Sequence, residues 1–295
     1  MKLGFIGLGV MGRPMALNLM KQGHEMGVYG RRDASVAPLL AAGARRYGTP
    51  AALARACDAV FTMVTASKDV EDVVLGEQGL IHGGRAGLVV IDMETIAPAV
   101  ARSVAAALGA RGIDMLDAPV SGGPAGAEQA TLSIMVGGKM PVYERMLPLV
   151  QALGKSVIYM GDHGAGQTTK ACNQLALLVN ALGTAEALSL AAASGLEPAK
   201  VREVLLGGVA ASRVLDLFGK RMVERDFKAG IAARLYYKDL HIALDLVHEL
   251  GIAAPAAAVV MQHVNALIGR GEGGSDLSAL LKVLEDMSGS RTRST

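Results

Sequence analysis

The chain has 295 residues, enough for one large domain or two ordinary ones. Hydrophobic residues make up 51% and charged residues 19%, which excludes a disordered chain and points to a sizeable core. The net charge of +2, without long Lys/Arg runs, leaves no nucleic-acid footprint, and two distant cysteines, Cys57 and Cys172, exclude a disulfide framework and fit a reducing cytoplasm.

The N-terminal "MKLGFIGLGVMG" is apolar after its lysine, but glycines break the run and no A-x-A-like site follows, so it is not read as a signal peptide. From there short β-branched runs alternate with Ala/Leu-rich segments. Strands are expected at 2–7, 25–30, 58–64, 88–93, 114–120, 132–138 and 156–161, and helices at 12–22, 51–56 and 97–110 among others. This alternation predicts an α/β, Rossmann-like, doubly wound parallel sheet. After Gly166 the texture changes. One long apolar helix closed by Gly195 leads into further helices up to Met287. The expected domains are 1–163, a dinucleotide-binding unit, and 164–287, an all-helical unit, with a disordered polar tail at 288–295. No uncharged apolar run of about 18 residues with few glycines occurs, so no membrane span is expected.

"FIGLGVMGRPMALNLM" holds Gly7, Gly9 and Gly12 in G-x-G-x-x-G spacing between an apolar strand and a helix-like segment, the context that motif requires. Gly7 suits a tight turn, Gly9 a close approach of pyrophosphate to the backbone, and Gly12 close helix–strand packing. The loop Gly7, Leu8, Gly9, Val10, Met11, Gly12 is the candidate phosphate cradle. At the end of the second strand, where an acid would bind a ribose 2′-hydroxyl, "VYGRRDAS" has Arg31 and Arg32. Guanidinium groups suit a 2′-phosphate, so NADP is favoured over NAD.

"DAPVSGGPAGAE" follows a predicted strand. Ser121, Gly122 and Gly123 there make either a plain turn or a loop whose N–H groups and hydroxyl hold a carboxylate. In "GAGQTTKACNQ", Lys170, Asn173 and Gln174 stand at i, i+3 and i+4 on one helix face. A lysine at such a place is ordinarily solvated. If buried in the first turns, the helix dipole and desolvation both disfavour its ammonium and make it a useful proton donor and acceptor. No HxH or HExxH spacing occurs among the six histidines, and no metal is expected.

"GFIGLGVMGRPMA", "DAPVSGG", "GAGQTTKACNQ" and "YKDL", in this order, resemble the motif set of the β-hydroxyacid dehydrogenases. That family includes 3-hydroxyisobutyrate dehydrogenase, tartronate semialdehyde (2-hydroxy-3-oxopropionate) reductase, glyoxylate/succinic semialdehyde reductase and, more distantly, 6-phosphogluconate dehydrogenase. The resemblance spans residues 1–287. It implies a Rossmann-like domain joined by a long helix to a helical one, and hydride transfer between a nicotinamide and a small β-hydroxy acid or its semialdehyde. It also implies Lys170 as the catalytic acid/base, Asn173 and Gln174 near the substrate, and Ser121–Gly123 on its carboxylate. Thr95 of "DMET", Lys238 of "YKDL" and the loop Met63–Val64 are implied as cofactor contacts.

Two departures stand out. Glu94 replaces a small hydroxylated residue; it either points to solvent or meets an amine or extra hydroxyl of the substrate. Ala130 stands where a glycine commonly precedes the threonine of this loop. No residue pattern separates tartronate, methylmalonate and succinic semialdehydes, glyoxylate, serine or threonate. An imine reductase of this fold, a decarboxylating 6-phosphogluconate-like enzyme and a silent dinucleotide-binding module are the rivals; Lys170 argues against the first and third. The apolar helices suggest a homodimer or homotetramer.

Overall fold

The computed structural model describes residues 1–289. It separates into two compact units, Met1–Lys170 and a second beginning at Ala171. The first holds one sheet with strands β1 (Lys2–Ile6), β2 (Glu25–Tyr29), β3 (Arg45–Arg46), β4 (Ala59–Thr62), β5 (Val89–Asp92), β6 (Asp114–Asp117), β7 (Val120–Ser121), β8 (Leu132–Gly138) and β9 (Gly154–Gly161). The order is β3-β2-β1-β4-β5-β6-β8-β7, with β9 along β8.

Successive side chains of a strand face opposite ways, and the core divides accordingly. Leu3 and Phe5 of β1, Val28 of β2, Phe61 of β4 and Ile91 of β5 pack on one face, with the Phe5 and Phe61 rings stacked 5.9 Å apart. The helices α1 (Gly12–Lys21), α2 (Asp33–Ala41) and, further along, α7 (Met140–Gln151) cover that face with Met15, Leu39 and Met146. Ile6, Val60 and Val90 point the other way, under α3 (Pro50–Ala56), α4 (Ser67–Leu75) and α5 (Pro98–Gly109). Both faces are therefore buried, as a doubly wound sheet demands.

The sheet is not wholly parallel, a correction to the sequence reading. β8 runs antiparallel to β6 and β7. The stretch expected as one strand, 114–120, breaks because Pro119 has no N–H for the ladder. Its second half, β7, then turns through α6 (Gly123–Glu128) and pairs with β8 without a crossover helix.

The long helix, α8 (Ala165–Ala193), has 29 residues and ends where Gly195 takes φ +75°. Among the described residues α8 is the one helix long and apolar enough to cross a membrane by length and composition. It nonetheless buries Gln167, Lys170 and Gln174, and its Leu178, Ala181 and Leu182 lie in a core. In the second unit α9 (Pro198–Leu206) and α10 (Arg213–Glu224) precede α11 (Ala233–Glu249), α12 (Pro255–Gly269) and α13 (Leu280–Met287). Tyr236, Val260 and Leu280 from these helices join Leu178 in the same core. Of the tail read as disordered, Ser288 and Gly289 form a turn; residues 290–295 lie outside the described residues.

Ala130, which stands where the resembling family commonly has glycine, adopts φ +54° between α6 and β8. An L side chain is strained there. Ala130→Gly is expected to stabilise the chain by about 1 kcal/mol, read as a higher urea midpoint at unchanged slope. A lower midpoint would contradict the left-handed assignment.

Candidate active site

The carboxyl ends of the parallel strands meet in register. Ile6 of β1 pairs with Tyr29 and Thr62, Thr62 with Asp92, and Asp92 with Asp117. Each strand thus delivers its following loop to the same edge, where ligands bind in open α/β sheets.

Between β1 and α1 the glycines do what their spacing requires. Gly7 has φ +92°, and a Cβ on it would lie 2.1 Å from the carbonyl oxygen of Met63. A Cβ on Gly12 would sit 1.9 Å from the carbonyl oxygen of Gly7. Both positions exclude any side chain. At Gly9 a Cβ would meet nothing within 4 Å, so the loop leaves open space at the position where pyrophosphate approaches the backbone. No side chain caps the first turn of α1, whose N–H groups suit a phosphate. These observations fit a dinucleotide. Leu8 turns its side chain into the core, Val10 is exposed and Met11 half-buried, so Leu8 can meet a cofactor only through its backbone. Met63 and Val64, half-buried, follow β4; the Met63 amide donates to the Ile6 carbonyl.

Arg31 and Arg32 are exposed at the end of β2. The sequence reading missed Arg46, on the two-residue strand β3. Its guanidinium donates to Asp33 at 2.7 Å and to the Gly30 carbonyl at 3.3 Å. Asp33, the acid that follows the two arginines, is therefore already paired. Only the second arginine doublet, Arg45–Arg46, could have signalled this.

Three acids gather at the strand ends: Asp92 closes β5, Asp117 closes β6 and Glu94 follows β5. Asp92 is fully buried and accepts from the Thr62 hydroxyl at 2.7 Å. Burial pushes its carboxyl up to about 8, and the neighbouring charges of Glu94 and Asp117 add to the rise against that hydrogen bond. Asp117 accepts from the amides of Gly164 at 2.8 Å and Gln167 at 3.0 Å. Burial raises its pKa too, against the pull of those donors. Glu94 is 8% exposed, which removes the alternative that it points to solvent. Half-buried Thr95 follows it.

Lys170 lies in the second turn of α8 and is 7% exposed, so the solvated alternative does not hold. Ser121 is half-buried on β7, and Gly122 and Gly123 take φ +135° and +63° to turn the chain into α6. In the second unit Asn173 donates to the side-chain oxygen of Gln174 at 2.7 Å, and Gln174 donates to Asp239 at 2.6 Å. Asp239 also pairs with Lys238 at 3.1 Å. The Gln174 amide is thus engaged at both ends by protein groups and braces Asn173.

The family model for the NAD binding domain of 6-phosphogluconate dehydrogenase matches residues 2–161. The family model for NAD-binding of NADP-dependent 3-hydroxyisobutyrate dehydrogenase matches residues 164–284. The chain is 40% identical over 291 residues to 2-hydroxy-3-oxopropionate reductase of Escherichia coli strain K12, covering 97% of this chain and 98% of that protein. The crystal structure of 3-hydroxyisobutyrate dehydrogenase from Salmonella typhimurium matches with a TM-score of 0.87 at 30% identity, covering 96% of this chain and 99% of that one. Psf3 in complex with NADP+ and 2-OPP matches with a TM-score of 0.88 at 27% identity, with the same coverage of 96% and 99%. This chain belongs to the β-hydroxyacid dehydrogenase family and is a nicotinamide-dinucleotide-dependent oxidoreductase of small hydroxy acids.

Asp92 gives the fold a pH signature. Its folded-state pKa of about 8 lies above the ordinary 3.8, so between these values the folded protein holds a proton that the unfolded chain has released. Stability from this group is full below the unfolded pKa and is lost as pH rises through the folded one. In thermal melts from about pH 5 to about pH 9, the wild-type midpoint is expected to fall relative to that of Asp92→Asn. Parallel curves would show that Asp92 titrates normally.

Proposed function

We propose that the enzyme interconverts a small semialdehyde and its β-hydroxy acid, of the 2-hydroxy-3-oxopropionate or 3-hydroxyisobutyrate type, with NADP and with Lys170 as general acid and base. The observation that carries this reading is the burial of Lys170, at 7% exposure, in the second turn of α8. The nicotinamide, when bound, gives hydride to the carbonyl carbon or takes it from the carbinol carbon. In reduction the Lys170 ammonium gives a proton to the oxygen that becomes the hydroxyl; in oxidation the neutral amine takes it back. Ser121, with the amides of Gly122 and Gly123, receives the substrate carboxylate. Asn173 reaches substrate oxygens while Gln174 fixes its orientation. Thr95 and Lys238 contact the cofactor, with Gly7–Gly12 and Met63–Val64. Residues 1–163 form the dinucleotide domain and 164–287 the substrate and dimerisation domain.

NADP is favoured because Arg31 and Arg32 are exposed while Asp33 is already paired with Arg46. The likeness to a structure holding NADP+ supports the same choice. Glu94, buried where the resembling family has a small hydroxylated residue, is the residue that would distinguish a substrate bearing an amine or an extra hydroxyl. Free thiols at Cys57 and Cys172 support a reducing, cytoplasmic setting. Exposed Val204, Leu217 and Val259 support a homodimer or homotetramer built through the helical domain.

Lys170→Ala should lower kcat at least ~100-fold with little change in cofactor affinity. Lys170→Arg should fail as well, because Arg does not release a proton at working pH. Near-normal turnover of either variant in a semialdehyde panel removes the assigned role. A ratio of kcat/KM favouring NADPH over NADH is expected, and loss of that preference on replacing Arg31 and Arg32 with Ala. An NADH preference in the wild type would reverse the cofactor assignment.

A further inference from the structure

We propose that Gln167 is a positioning residue, which holds the loop bearing Glu94 and Thr95 in register with the turn of α8 that carries Lys170. The proposal rests on the assignment of Lys170 as acid and base. Gln167 is 1% exposed, and each polar end of its side chain is engaged. Its side-chain oxygen accepts from the Ile96 amide at 3.1 Å, and its side-chain nitrogen donates to the Glu94 carbonyl at 2.7 Å. The primary amide thus bonds to two backbone groups that flank Thr95, as a neighbouring strand would. Its own backbone N–H donates to Asp117 at the end of β6. One residue therefore ties the start of α8 to β6 through its main chain and to the loop after β5 through its side chain.

Lys170 stands three residues further along α8, on the same helix face. A rotation or shift of the first turn moves Gln167 and Lys170 together. Because the Gln167 amide spans Thr95, such a movement cannot occur without breaking a buried hydrogen bond at Glu94 or Ile96. The loop is held from behind as well: the Ala97 amide donates to the Ser67 hydroxyl at 3.2 Å and the Met93 amide to the Thr62 carbonyl at 2.9 Å. The loop after β5 and the helix start are thus each held to the sheet, and Gln167 sets the register between them. Hydride and proton transfer need their groups placed within fractions of an ångström, so this contact acts on turnover rather than on substrate affinity.

The requirement is for a donor and an acceptor on one side chain of this length. Gln167→Met keeps the shape and removes both. Gln167→Glu keeps the acceptor, and donates to the Glu94 carbonyl only when protonated. The expected result for Gln167→Met is kcat lower by about 10- to 100-fold per folded active site, with the Kd for NADPH close to wild type. For Gln167→Glu, turnover relative to wild type should rise as pH is lowered through the titration of the introduced acid, a dependence that a filler of space would not create. Gln167→Glu carries the test alone if the Met variant does not fold.

Wild-type kcat in both variants, with the Gln167→Glu profile superimposed on the wild type and Lys170→Ala inactive, overturns the positioning role and leaves the Lys170 assignment standing. Near-normal turnover in Lys170→Ala overturns both.

Discussion

A buried carboxylate at the start of a long helix is the constraint on which the rest of this site depends. The first amides of α8 have no partner within the helix, and Asp117 supplies one from the end of β6. Removing a carboxylate from water is costly, and burial duly raises the pKa of Asp117. The two amides and the positive end of the helix dipole offset that cost. The contact also dictates local sequence. A Cβ on Gly166 would stand 2.4 Å from the Met135 carbonyl oxygen and 2.5 Å from that of Asp117. The glycines of "GAGQTTKACNQ" thus serve the docking of the helix, and that docking fixes the turn that carries the buried Lys170.

Much of this was legible in the sequence because it follows from periodicity and from special backbone geometry. The strand runs alternate, so the two-faced core could be expected. The spacing of Gly7, Gly9 and Gly12 follows from a turn that leaves no room for side chains at its first and last positions. What stayed hidden depends on groups far apart in the chain. β3 has two residues, both arginine, and no apolar pattern marks it. The break between β6 and β7 follows from one missing N–H at Pro119, and the antiparallel pairing of β8 with both has no local mark in the sequence. Gln167 reads as an unremarkable polar residue until the loop 71 positions earlier is brought beside it. Arg46 is likewise visible only through Asp33, 13 positions earlier, which it pairs.

Glu94 shows the converse case, in which the sequence raised the right question but could not answer it. Replacement of a small hydroxylated residue by a carboxylate is an electrostatic event, and its consequence depends on burial. At 8% exposure the carboxylate cannot be screened by bulk water as a surface acid is.

The acidic row then poses an electrostatic problem for the fold itself. Asp92 feels the charges of both Glu94 and Asp117, and all three are buried. Buried carboxylates this close together repel one another. Asp117 is offset by the amides of Gly164 and Gln167, whereas at Asp92 the Thr62 hydroxyl and the Glu94 amide are outweighed by burial and by the charges of Glu94 and Asp117. With its pKa near 8, Asp92 holds a proton at neutral pH. The fold lowers the charge of the row by one without losing the hydrogen bond that joins the ends of β4 and β5. A neutral amide at that position would do the same electrostatic work. What a carboxylic acid adds is a proton that is released as pH rises, so the strand ends that carry the loop of Glu94 and Thr95 gain negative charge in alkaline conditions and not in acid ones.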